Sequence, residues 1–318
     1  MTGRGIVLVA NMGDDSITAY GSKTYREVFS IQLKPVGTKL MSTNHFARGP
    51  VVGPGFLCHR KAADQLLAAN IYDDSLSIID LASLRVVKTI FAGNRPNRLE
   101  VFEQSKRAFV TNYDSDSVSV IDLCVQQIIG QIPCGIMPQS IVLNRRSNRL
   151  YIANTGSNRI SIIDALFMDK TDCLEVDGYP VDICCDGTGQ RLYAIVQSHE
   201  SQEHNRLIEY DTESGRKSRC VRLGTMPVDL LCDDITERLY VLDAMDNRLT
   251  IIDSTGFTVL GVIELGKMPV SQSLEADGKH LHVACMMDNR LYKVDLDAGL
   301  VTGSVLTGVE PACVLVVD

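Results

Sequence analysis

Seven prolines, Pro54, Pro96, Pro138, Pro180, Pro227, Pro269 and Pro311, stand 42 residues apart except for one step of 47, and they are seven of the chain's ten. A fixed period of this size marks a repeat architecture, in which each unit is one supersecondary element that buries its faces only against its neighbours. The repeat therefore outranks the length of 318 residues as a guide to organisation, and predicts a single domain over 1–318.

Aligned on the prolines, apolar segments stack in register: Val7-Leu-Val-Ala-Asn11, Leu66-Leu-Ala-Ala-Asn70, Ala108-Phe-Val-Thr-Asn112, Leu150-Tyr-Ile-Ala-Asn154, Leu192-Tyr-Ala-Ile-Val196, Leu239-Tyr-Val-Leu-Asp243 and Leu281-His-Val-Ala-Cys285. A second register follows each short polar turn, as in Val118-Ser-Val-Ile-Asp122 and Ile160-Ser-Ile-Ile-Asp164. Both read as strands from their length and from apolar and polar alternation. A turn and a third strand follow, then Gly-x-x-Pro and a further apolar strand. Four strands in 42 residues with no helix signal predict an all-β, seven-bladed β-propeller of four-stranded antiparallel blades. The chain begins on a second strand and ends, after Pro311, on a first strand. Its N- and C-terminal strands are thus expected to pair in one blade, which removes the open edges of a linear array.

Composition narrows the class of partner. A net charge of −8 and a pI near 5.3 argue against nucleic acid and anionic membrane, because neutralising phosphates needs a basic field. No run approaches the ~18 apolar residues of a membrane span. The N-terminus leads straight into the first strand without a visible leader, so a cytoplasmic location is expected. The ten cysteines show no CxxC pairing and scatter over the repeat, and most are expected to be small buried hydrophobes in a reducing compartment.

The segments Phe109-Val-Thr-Asn112 and Tyr151-Ile-Ala-Asn154, with Val118-Ser-Val-Ile-Asp122 and Gly135-Ile-Met-Pro138, resemble the YVTN-type seven-bladed β-propeller repeat family over nearly the whole chain. The resemblance implies the fold. It implies no single activity, since members serve as surface-layer modules, periplasmic binding proteins and subunits beside redox enzymes.

Two departures from the period mark where a site is expected. Lys34 to Pro50 is an extra stretch between the first two blades, and Gln197 to His204 enlarges a turn of the fifth. Both fall on the end where the second-to-third-strand turns emerge, here the top face, and lengthened loops on a rigid scaffold commonly carry binding residues. His45, His199 and His204 lie in these insertions, at spacings that match no strong metal motif. The second-to-third-strand turns end in Asp-Ser in blades one to three (Asp15, Asp74, Asp116) and in Asn-Arg in blades four to seven (Arg159, Arg206, Arg248, Arg290), so the top face is expected to divide into acidic and basic arcs. Good turn chemistry alone accounts for the Asp and Asn. Lys34, Lys39 and Arg48 beside the acidic arc, and Glu200 and Glu203 beside the basic one, favour a covered top face.

The residues two after each proline are expected near the top of the central channel, where Ser140, Asp182, Asp229 and Ser271 form an oxygen arc adjoined by Arg98. Such an arc binds a polar ligand or a hard cation, or merely satisfies backbone donors. Asp186, Asp233 and Glu275 are expected lower in an acidic channel. No nucleophile elbow, phosphate-binding loop, HExxH or dinucleotide fingerprint is present, and no cofactor is implied. The leading expectation is a non-enzymatic binding or scaffold propeller that engages a protein, peptide or polar small molecule at the top face. The alternative is a metal-assisted, lactonase-like hydrolase with carboxylates at the channel mouth.

Overall fold

The computed structural model describes residues 5–35, 49, 51–198 and 205–317. Seven four-stranded antiparallel sheets form the ring. The strand after each proline is innermost, and the chain steps outward through three further strands before crossing to the next blade. Blade 1 joins the two ends of the chain: its inner strand, Pro311–Val317, pairs antiparallel with Ile6–Asn11 from Ile6↔Val317 to Asn11↔Pro311. The inner strands of blades 2 to 7 are Pro54–Arg60, Pro96–Phe102, Pro138–Asn144, Tyr179–Cys185, Pro227–Asp233 and Pro269–Leu274. No helix among the described residues is long and apolar enough to cross a membrane.

Side chains alternate across a strand, so a blade presents one set of residues to each neighbour. In Ile6–Asn11, Leu8 and Ala10 pack toward blade 2 with Leu57, Leu66 and Ala68, while Val7 and Val9 pack toward blade 7 with Ala284 and Leu291. Both faces of the second strand are therefore buried, which explains its near-continuous apolar run. The core consists of seven such clusters, one per blade junction. Each fully buried Leu or Ile contributes about 1.5–3 kcal/mol. The outer strands bury little, as the pattern of Arg85–Phe91 shows.

The Asn that ends the second strand is a polar rivet. Asn70 Nδ2 donates to Ser75 Oγ and Ser77 Oγ at 2.9 and 2.8 Å, and Asn11 and Asn112 repeat the arrangement with Ser16 and Thr18, and with Ser117 and Ser119. All three are fully buried, and the Ser and Thr hydroxyls of the third strand satisfy their Nδ2 donors, though not Oδ1. The incoming loop packs directly on this amide. Gly93 has φ +134°, and a Cβ there would lie 2.5 Å from the Asn112 side chain.

Candidate functional site

The turn residue after each second strand determines how one blade grips the next. Asp15, Asp74, Asp116, Asn158, Asn247 and Asn289 all occupy the left-handed region, with φ from 50° to 56°, which Asp and Asn tolerate better than other non-glycine residues. Five of them turn an oxygen onto the residue that precedes the next blade's proline: Asp15 accepts from Gly53 N, Asp74 from Arg95 N, Asp116 from Met137 N, Asn247 from Met268 N and Asn289 from Glu310 N, at 2.8–2.9 Å. Aspartate and asparagine are interchangeable in this task. The expected acidic arc is accordingly built into the joints between blades.

The four arginines of the expected basic arc stand at the start of third strands and reach outward. Arg159 pairs with Glu175 at 2.8 Å, Arg206 with Asp177 at 3.2 Å and Arg248 with Asp246 at 2.9 Å, while Arg290 donates to Ser304 Oγ. None of them lines the channel mouth. His45, His199 and His204 lie outside the described residues, as do Lys39, Arg48, Glu200 and Glu203.

The residues two after each proline do converge at the channel, and most of them staple one blade to the next. Asp182 Oδ2, Asp229 Oδ2, Ser271 Oγ and Cys313 Sγ accept from the backbone N–H of Leu230, Gln272, Val314 and Leu57, each on the following blade, at 2.8, 3.1, 3.1 and 3.4 Å. Ser140 Oγ instead donates to Asp182 Oδ1 at 2.6 Å. Arg98 crosses the channel from blade 3. Its Nη2 lies 2.9 Å from Asp229 Oδ1 and 3.7 Å from Asp182 Oδ2, and its guanidinium sits 4.9 Å over the Phe56 ring. Burial works against the Arg98 charge, but Asp182 and Asp229 outweigh it and raise the guanidinium pKa above its ordinary value. Burial pushes the Asp229 carboxyl up to about 6, with Arg98 pulling it back. A charged bolt thus closes the channel beneath its mouth.

Above that bolt lies a cavity of about 650 Å³. Val228, Val270, Ala312, Met12 and Met286 form an apolar wall from blades 6, 7 and 1, and Arg95, Asn97, Gln139 and Asp114 form a polar wall from blades 3 and 4. Arg95 was not among the residues expected from sequence. It precedes Pro96, where the other blades carry Gly53, Met137, Tyr179, Met226, Met268 and Glu310, and that lone cation was the available signal. Its guanidinium stacks 4.7 Å over Tyr113 and stands 3.8 Å from Asp114, with both side chains about half exposed.

The acidic lower channel needs correction. Asp186 binds Thr188 Oγ1 and Arg191 N, and Asp233 binds Thr236 Oγ1 and Ile235 N, so both acids cap the turns after their own strands. Glu275 is turned away from the axis toward the blade 7 and blade 1 junction, where His282 and Lys293 hold it. Lower in the channel Glu100, which burial pushes up to about 7, lines a separate cavity of about 260 Å³ together with Asp186, Asp234, Arg145 and Cys185. All ten cysteines are free; Cys124 and Cys220 are exposed, while burial raises the Cys58 thiol to about 12 and the Cys185 thiol well above its ordinary value. Cys58 and Cys185 are thus inert packing groups.

No family model matches the chain, and no curated protein matches it. Solved structures match it along most of its length. A protein of unknown function from Desulfotomaculum acetoxidans superposes with a TM-score of 0.79 at 12% identity, covering 99% of both chains. A candidate 6-phosphogluconolactonase from Bacteroides fragilis superposes at 0.76 with 17% identity, covering 100% of this chain and 99% of its own. Kuenenia stuttgartiensis hydrazine synthase gives 0.76 and 19%, covering 87% of this chain and 98% of the matched one. At such identities the likeness is one of fold.

Proposed function

We propose that this protein is a non-enzymatic, YVTN-type binding propeller whose top-face cavity takes a small organic anion. The observation that carries the reading is the cavity itself. Its volume lies in the usual range for small-molecule sites, and one wall is apolar while the other presents a half-exposed guanidinium, stacked on Tyr113 and loosely paired with Asp114. Arg95 reads the ligand's charge, and Val228, Val270 and Met286 receive its carbon skeleton. The buried Asn rivet that ends the second strands supports the family reading. A repeat profile built from close homologues of this chain that failed to join that family would withdraw it.

The test is a thermal-shift screen against small carboxylates and phosphorylated sugars, followed by titration of any hit against Arg95→Met. Methionine already occupies this position before Pro138, Pro227 and Pro269, and Met137 and Met268 adopt φ of 56° and 57°, so the substitution leaves the backbone undisturbed. Loss of one charged hydrogen bond, about 1.5–3 kcal/mol, weakens binding by roughly 10- to 150-fold. Unchanged affinity in Arg95→Met refutes the assignment.

A hydrolytic reading draws on the carboxylates at the mouth and on the name of the Bacteroides fragilis neighbour. It is less well supported, because all four oxygens of Asp182 and Asp229 are already engaged by Ser140, Arg98 and two backbone N–H groups. Hydrolysis of 6-phosphogluconolactone faster than in buffer, lost in Asp182→Asn, would reverse the preference.

A further inference from the structure

On the opposite face, the turn that leaves the inner strand of blade 7 brings Glu275, Asp277 and His280 together. One ligand atom from each lies within 4.8 Å of the other two. His280 Nδ1 is 2.7 Å from Asp277 Oδ2 and 3.9 Å from Glu275 Oε2. We propose that these three side chains bind a divalent transition-metal ion of the zinc or manganese class.

Each carboxylate turns one oxygen to the surrounding fold and the other to His280. Glu275 Oε1 accepts from His282 Nε2 at 2.7 Å and from Lys293 Nζ at 3.3 Å. Asp277 Oδ1 accepts from the backbone N–H of Lys279 and His280 at 2.8 and 3.2 Å. The other two oxygens, Glu275 Oε2 and Asp277 Oδ2, face His280 Nδ1, and Oδ2 shares with it a hydrogen bond of 2.7 Å that an ion would replace. Ligand atoms about 2.0–2.2 Å from an ion sit roughly 3–3.5 Å apart, so the two separations from His280 Nδ1, 2.7 and 3.9 Å, change by less than about 1 Å to receive one. The side chains of Asp277 and His280 are part-exposed, which permits that adjustment and leaves a solvent path.

A second layer orients the first. His282 is fully buried, and its Nδ1 lies 2.7 Å from the Tyr25 hydroxyl of blade 1. With Nε2–H donating to Glu275, Nδ1 must accept, so the Tyr25 hydroxyl donates to it. A hydrogen-bonded partner that fixes a ligating group in this way is the ordinary support of a metal centre. One imidazole and two carboxylates suit a borderline divalent ion better than calcium, which prefers six to eight oxygens, or copper(I), which prefers sulfur. All three ligands belong to one turn of blade 7, so binding should stabilise that turn in the folded chain. This site is independent of the top-face cavity.

The experiment is equilibrium dialysis of the intact protein against Zn²⁺ with elemental analysis, repeated with Asp277→Asn and His280→Gln, and a visible spectrum of the Co²⁺ form. The expected result is one ion per chain, an affinity at least ~10-fold weaker in each variant, and a cobalt spectrum without thiolate charge transfer. Asp277→Asn retains the turn's backbone acceptor, so a folded variant is available. Absence of binding at micromolar Zn²⁺, an affinity unchanged from wild type in either variant, or a thiolate band would each overturn the proposal.

Discussion

Arg98→Met isolates what the channel bolt contributes. The substitution keeps a long side chain over Phe56 but removes the cation that Asp182 and Asp229 share, and those carboxylate side chains are only 3% and 6% exposed. Removing one partner of a buried ion pair costs about 3–5 kcal/mol, because the remaining charge is left without compensation. Arg98 is itself 26% exposed, which favours the lower end, about 3 kcal/mol. With an unfolding entropy near 2 cal/mol/K per residue over 318 residues, that is a fall in Tm of roughly 4–5 °C.

The pH dependence has a definite sign. Burial already holds the Asp229 carboxyl at about 6, and loss of Arg98 removes the charge that pulls it down. A carboxyl whose folded pKa exceeds its unfolded value favours folding at low pH, and that contribution disappears as pH rises through the folded value. The deficit of Arg98→Met should therefore be smaller at pH 5 than at pH 7. Adding Asp229→Asn should recover at least ~1 kcal/mol, because the amide oxygen still accepts from Gln272 N and no charge is stranded. Calorimetry of wild type, both single variants and the double variant at the two pH values measures all of this. A Tm loss under ~1 °C, a loss equal at pH 5 and pH 7, or strict additivity of the two substitutions would refute the bolt.

Three further outcomes follow from the same geometry. Deleting residues 309–318 removes the inner strand of blade 1 and should lower the unfolding temperature of the whole ring; an unchanged Tm would contradict closure through Ile6–Asn11. Asp116→Asn should be neutral within ~0.5 kcal/mol, whereas Asp116→Ala, at φ 50° and without the bond to Met137 N, should cost about 1–2 kcal/mol by chemical denaturation; equal costs would mean that charge matters at this joint. Burial holds the His282 pKa below its ordinary 6.5 despite Glu275, so below pH 6.5 the unfolded chain gains a proton that the folded one resists and stability falls with pH. His282→Gln should flatten that fall between pH 7 and 5.5, and an unaltered slope would exclude His282 as its source.

The fold was legible because a blade is a local object. Proline spacing, the Asn-to-Ser rivet and the Asp or Asn turn all act within one or two repeats, so a 42-residue period exposes every one of them. The ring of residues two after each proline was legible for the same reason, since each inter-blade staple joins positions 42 to 48 residues apart or spans the closure. Arg98 to Asp229 is a contact of another kind. It spans 131 residues and three blades, and it exists only because the ring closes to a channel that one arginine can cross. The period gives the direction of both side chains but not the width between them. Read without that width, Asp182 and Asp229 are two acids awaiting a cation. With it, Arg98 supplies the cation, and the binding chemistry proposed above is sought over the bolt, at Arg95 and the apolar wall that faces it.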